Sequence, residues 1–387
     1  MSDSLVAAPD NPQLSRVIES DLSDRLWNKN ALFQHNWLYA RSSIPSETEG
    51  IHGVCRRPAT CSGVGPDGDI SDVCCVWENP EILTRGEVVP CTEGHHSSCP
   101  CELEDRRLMS AAPSRVAADY LSRVNYAGPT DATLTTLRGL VSAHTRCIAF
   151  ENLDSLLGRP VADLGPEALV DKLVRRRRGG FCYEQNGLMA YVLDELGFSV
   201  KHLSARVMLN GTVGPLAAEN HDALLVTVPS VEGRFLVDVG FGGPTPTAPL
   251  RITAGIVQQT PHGAYKLLDH RGGYLLQVQV GEEWKPLYTF TTHPRPRIDM
   301  EVGSWYMSTH PTSLFVTALT ASIVTDDERY NLRGRNLTVH RSDATQRLRL
   351  EGVAEVLDLL SSRFGVSLDD FGDRSLLQAR VSEVLDA

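Results

Sequence analysis

The chain has 387 residues, 42% of them hydrophobic and 22% charged, with a formal net charge of −11 at pH 7. That length holds two or three cored domains, and the composition is that of a soluble globular protein. No run reaches the roughly 20 apolar residues of a membrane helix, no secretion-signal pattern opens the chain, and the acidic balance is wrong for a nucleic-acid binder. A cytoplasmic protein with neither membrane nor nucleic-acid partners is expected.

Residues 1–108 are rich in Pro, Gly, Ser and Cys and show little sustained periodicity apart from one helical stretch over 14–27. They read as a loosely structured extension. Seven of the nine cysteines lie here, and an odd total without a secretion signal does not suggest a disulfide framework. Gly63, Gly65 and Gly68 match a dinucleotide-binding pattern by letter, but no strand precedes them and Pro66 opens no helix behind them. His95, His96, Cys99 and Cys101, with Cys91, are zinc-ligating types without the usual paired spacing, so no metal is assigned. The regular pattern starts just after Met109, which is expected to be the true start.

A helix is expected over 114–125, with Val116, Tyr120, Leu121 and Val124 on one face. The next, capped by Thr130 or Asp131, carries Leu134, Leu137 and Val141 inward. A third spans 166–178, with Pro166 at its first position, Arg175 to Arg178 in its last turn and Gly179 as its stop. A fourth runs over 182–196. After Gly197 the period changes, and short β-favouring runs are expected at 199–209, 223–228, 234–239, 265–269, 274–279 and 284–289. Helical spacing returns with Val353, Val356, Leu357 and Leu360, then Leu376, Leu377, Val381 and Val384. The coarse outcome is an α+β protein: helical part, central β part, mixed tail.

Cys182 follows Gly179, Gly180 and Phe181 at the start of the fourth helix. Two glycines permit a tight turn, and a helix N-terminus favours thiolate, the reactive form. On local context alone, a cysteine packed as a small core residue is the commoner occurrence. His221 stands at the edge of the apolar run 223–226, and Asp238 lies among strand residues where a lone carboxylate is costly to bury. A histidine on the neighbouring strand is its natural partner, which yields a Cys–His–Asp relay. Asp222 is the competing carboxylate, but as the neighbour of His221 it should face the other way.

The run Arg178 to Asn186 around Cys182 resembles the active-site signature of the arylamine N-acetyltransferases, especially the actinobacterial members. The runs 148–154 and 236–243 resemble two further markers of that family. The resemblance covers residue 114 to the C-terminus. It implies a helical bundle (109–196), a β-barrel carrying His221 and Asp238 (197–302), and a linker with an α/β lid (303–387). The first two would form a catalytic core like that of cysteine proteases and transglutaminases. It further implies a ping-pong reaction in which Cys182 takes an acetyl group from acetyl-CoA, a co-substrate with no tightly bound cofactor beside it. An arylamine or arylhydrazine then accepts that group. Phe150, Phe241 and Phe315 would line the acceptor pocket, although core packing also accounts for them. Arg178 and Glu151 would steady the active-site loop. Asn220, before His221, departs from the threonine often found there. An amide synthase of the same fold, acting on polyketide thioesters, is the alternative.

Overall fold

The computed structural model describes residues 115–208, 218–229, 231–341 and 344–386. The features noted above before Arg115 lie outside these residues: the helix at 14–27, the glycine pattern, the His/Cys set and the start at Met109.

Helix α1 (Arg115–Arg123) buries Ala117 and Tyr120, and α2 (Leu134–Cys147) buries Leu137, Leu140, Val141 and His144. The cap of α2 is Thr133, not Thr130 or Asp131. Thr133 is extended, and its Oγ1 accepts the Thr136 N–H at 3.2 Å. The short strand β1 (Phe150–Glu151) and helix α3 (Leu153–Leu156) follow. The helix expected over 166–178 is shorter and changes character. One α-helical turn, α4 (Pro166–Leu169), widens into a π-helix over Val170–Arg175. It stops because Arg177 adopts φ +52°, so Gly179 is not the stop. The two glycines answer to packing instead. A Cβ on Gly179 would lie 2.3 Å from the Ala149 carbonyl oxygen, and one on Gly180 would lie 2.6 Å from the Glu184 carboxylate. Helix α5 (Cys182–Glu195) then begins at Cys182.

The central sheet is antiparallel throughout. Its strands are β2 (Ser199–Val207), β3 (His221–Thr227), β4 (Arg234–Val237), β5 (Leu250–Arg251), β6 (Val257–Thr260), β7 (Gly263–His270), β8 (Gly273–Val280) and β9 (Glu283–Phe290). Their order is β5-β4-β3-β2-β9-β8-β7-β6. The outermost strands β5 and β6 are joined through a side chain. The Gln258 amide accepts from the Arg251 N–H at 2.7 Å and donates to the Arg251 carbonyl at 2.9 Å. The sheet is therefore nearly closed and barrel-like. Ala223 and Leu225 face its interior with Leu203, Leu236, Tyr265 and Leu276, whereas Leu224 and Val226 pack on the helices. Burial on both faces explains why β3 reads as an unbroken apolar run. Strand β4 ends at Val237, so Asp238 stands just beyond the strand and not within it.

Helix α6 (Arg297–Thr309) runs unbroken across the division expected at 302/303. After α7 (Leu314–Thr317) come β10 (Thr320–Val324), β11 (Arg329–Arg333), β12 (Asn336–His340) and β13 (Thr345–Arg349). They form an antiparallel sheet ordered β1-β10-β11-β12-β13, with Phe150 opposite Ser322. A strand from the helical half of the chain thus completes the C-terminal sheet. Helices α8 (Val353–Ser362) and α9 (Arg374–Val384) cover it, burying Val356, Leu360, Leu377 and Val381 against Leu332, Leu337 and Val339. Leu376, one of the residues at helical spacing, points outward at 64% exposure. No helix among the described residues is long and apolar enough to cross a membrane.

Candidate active site

The chain turns into α5 at an extended Phe181, whose backbone N–H donates to the Glu184 carboxylate at 3.1 Å. Cys182 is the first helical residue and is 3% exposed. The N–H ends of the first-turn amides point towards this end of the helix, so its sulfur sits where negative charge is favoured.

His221 opens β3 and Asp238 follows β4, a strand that pairs with β3 through Leu224 opposite Val237. His221 Nε2 lies 2.7 Å from Asp238 Oδ2, and the Cys182 side chain is near enough to raise the imidazole's pKa. The structure therefore brings Cys182, His221 and Asp238 together. Burial opposes charge on His221. The Asp238 carboxylate outweighs burial, Cys182 adds to it, and the imidazole pKa is held up at about 10. Burial likewise opposes charge on Asp238, yet its pKa falls below the ordinary value because His221, Asn186 and the Gly240 N–H all bond it. Asp222 turns to the opposite face, as strand alternation demands. There both of its oxygens lie 3.0 Å from Nδ1 of His202.

Two residues missed in the sequence hold this arrangement. Asn186, one turn beyond Cys182, donates from Nδ2 to Asp238 Oδ1 at 3.0 Å and to the Asp222 carbonyl at 2.7 Å. Its Oδ1 accepts the Val239 N–H at 2.9 Å. Gln185 donates to the carbonyls of Ala149 and Gly180 at 2.7 and 3.1 Å, while its Oε1 meets His144 Nε2 at 2.5 Å. Burial drives the His144 pKa down to about 4, so this histidine is neutral and structural. The one available signal was spacing, since Asn186 shares a helical face with Cys182.

The aromatic residues form two groups. Phe150 and Phe181 both pack on Phe315, with ring centroids 5.7 and 5.2 Å away. Phe241 instead packs on His221 at 5.0 Å and on Tyr288 at 5.2 Å.

Arg178, expected in a helix's last turn, lies beyond the helical segment that ends at Arg175. Its side chain is wholly buried, with Nη2 2.8 Å from Glu151 and 3.1 Å from Asp154. Nη1 lies 3.1 Å from Asp370, and the guanidinium stacks 3.9 Å from the Phe371 ring centre. A second cation extends the network. Lys172 Nζ lies 2.5 Å from Glu184 and 2.6 Å from Asp154. Burial alone would raise the Asp154 pKa, but Lys172 and Arg178 pull it down to about 2. Glu184, braced by Lys172, is the residue that receives the Phe181 N–H, so the network reaches the start of the Cys182 helix. Among the described residues no three His, Cys, Asp or Glu side chains are grouped to hold a metal ion.

A thiol at a helix start beside a histidine–carboxylate pair is the arrangement that thiol-dependent transferases and hydrolases use. The N-acetyltransferase family profile matches residues 133–372. The arylamine N-acetyltransferase of Mycolicibacterium smegmatis is 59% identical over 268 residues, covering 69% of this chain and 97% of the relative. That of Escherichia coli is 36% identical over 253 residues, covering 65% of this chain and 89% of the relative. The solved structure of the Mycobacterium marinum enzyme in complex with CoA shares 55% identity and superposes with a TM-score of 0.68, covering 69% of this chain and 99% of that one. The chain belongs to the arylamine N-acetyltransferase family.

Proposed function

We propose that this protein transfers an acetyl group from acetyl-CoA to the nitrogen of an arylamine or arylhydrazine, with Cys182 as nucleophile, His221 as proton carrier and Asp238 as its anchor. The observation that carries this reading is the 2.7 Å contact between His221 Nε2 and Asp238. It commits one ring nitrogen to the carboxylate and leaves Nδ1 for the Cys182 thiol.

In the first half-reaction the thiol proton already rests on Nδ1, in keeping with the raised His221 pKa, and the sulfur attacks the thioester carbonyl as thiolate. The carbon–sulfur bond to CoA breaks, and the imidazolium returns its proton to the departing CoA sulfur. One thioester replaces another, so little free energy is spent. In the second half the unprotonated aromatic nitrogen attacks acetyl-Cys182 and gives its proton to Nδ1. The Cys182 sulfur then leaves and recovers that proton. Asp238 stays ionised throughout and stabilises the imidazolium. Phe150, Phe315 and Phe241 stand on the sides of this centre as walls for the aromatic acceptor. Arg178 and Glu151 fix the loop that delivers Cys182, and the segment 303–387 serves as the lid.

The test is intact-mass spectrometry after mixing with acetyl-CoA and no acceptor. One acetyl adduct on Cys182, absent from Cys182→Ala and discharged by an added arylamine, is the expected result. Absence of any adduct on folded protein that still acetylates amines would refute the two-step route.

A further inference from the structure

A second polar cavity lies beside the nucleophile helix. Its volume is about 290 Å³, and Tyr183, His202 and Arg297 line it together with apolar Leu169, Val200 and Met300. Cys182, His221 and Asp238 do not line it. The size and the mixture of apolar wall with a few polar groups fit a small-molecule site.

Three of the polar groups on the wall can donate hydrogen bonds inward. Tyr183 is 2% exposed, and its side chain lines the cavity. His202 has committed Nδ1 to the Asp222 carboxylate at 3.0 Å, which fixes a proton on that nitrogen and leaves Nε2 for the cavity. Arg297 has spent Nε on Glu301 at 2.7 Å, which leaves its two terminal nitrogens as donors. Burial lowers the His202 pKa, Asp222 more than restores it, and the nearby Arg297 cation opposes it. Two groups able to donate to a shared anion therefore face one space, beside a tyrosine hydroxyl. The one carboxylate on the wall, Asp194, sits at the exposed rim and disfavours a second negative charge deeper in the ligand.

We propose that this cavity binds a small organic monocarboxylate, its carboxylate held by Arg297, His202 and Tyr183 and its apolar body against Leu169, Val200 and Met300. A carboxylate matches the planar guanidinium, and the apolar wall selects an organic acid over an inorganic anion. Since no reacting group lines the cavity, the occupant is a ligand and not the acetyl acceptor, so the proposal stands or falls apart from the transfer chemistry.

Calorimetric titration of the full chain with benzoate, which has no amine to acetylate, and with neutral benzamide tests it. Benzoate should bind one per chain, with benzamide at least about tenfold weaker. Arg297→Met and Tyr183→Phe should each weaken benzoate several-fold, and saturating CoA should not displace it. Arg297 is half exposed and Tyr183→Phe keeps the ring, so both variants retain the fold. Three results would overturn the proposal: no benzoate heat, equal binding of benzoate and benzamide, or benzoate affinity unchanged in both variants. Displacement by CoA would overturn it too, by placing benzoate in the catalytic cleft.

Discussion

Two histidine–aspartate pairs share the strands β2 to β4, and their differences separate a reactive arrangement from a structural one. His221–Asp238 lies on the side of β3 that meets Cys182, and His202–Asp222 on the other. Both carboxylates are fully buried and both touch an imidazole within 3.0 Å. Asp238 receives further hydrogen bonds from Asn186 and Gly240, and its pKa is depressed despite burial. Asp222 has no side-chain partner among these residues other than His202, and burial leaves its pKa raised. Only His221 has a thiol beside it. A buried His–Asp pair is therefore not itself a catalytic device. Extra donors that keep the carboxylate charged, and a third group to exchange a proton with, make it one.

The largest expected effect follows directly. Asp238→Asn should slow self-acetylation of Cys182 by roughly a thousandfold or more, because the imidazole loses its orienting charge. Asp222→Asn should stay within about tenfold of wild type by the same reasoning. Rapid-quench mass spectrometry compares the two, and similar losses would erase the distinction between the pairs. Next in size is Lys172→Met, which leaves Glu184 buried without its cation beneath the turn that presents Cys182. A loss of about 3–5 kcal/mol in urea unfolding is expected. Arg175→Met, at a solvated pair, should leave the midpoint unmoved.

Asn186→Ala removes the donor to Asp238 and should cost about 1–3 kcal/mol of stability. It should also slow self-acetylation while leaving the His202 pair intact, which the His202 proton resonances report. A further effect concerns pH. The His221 pKa rises from 6.5 to about 10 on folding, so its stabilising contribution is complete below 6.5 and disappears as pH rises through about 10. The stability gap between wild type and His221→Gln should narrow across that window. The Asp238 pKa is depressed from 3.8, so its contribution holds above that value and is lost as pH falls below it. A gap that widens as pH rises from 6.5 to about 10 would contradict the assigned ion pair.

Much of the site was legible because its members stand at conspicuous local positions: a cysteine after two glycines, a histidine at a strand edge, an aspartate ending an apolar run. Those signals are one-dimensional. Asn186 carried no such mark, because its three bonds reach residues 36 to 53 positions away. Gly179 and Gly180 were noticed for the wrong reason, since backbone freedom is visible in a sequence and the approach of Ala149 and Glu184 is not. The C-terminal strands were missed because β13, Thr345–Arg349, is exposed throughout and β11 carries Arg329 and Arg333, so apolar alternation is weak. The π turn had no sequence signature. Periodicity reports which face of an element is buried, not which distant group it meets.

The Asp370 and Phe371 contacts to Arg178 also have a consequence for how the protein is made. Arg178 and Asp370 are separated by 192 positions. At about 5–20 residues per second, synthesis leaves the guanidinium waiting on the order of 10–40 s for that partner. Strands β10 to β13, which take up Phe150 and Glu151, also emerge during this interval. The Asp370 side of this loop's support thus arrives late, so a ribosome stalled shortly before Asp370 would carry the thiol and its histidine without that part of the clasp.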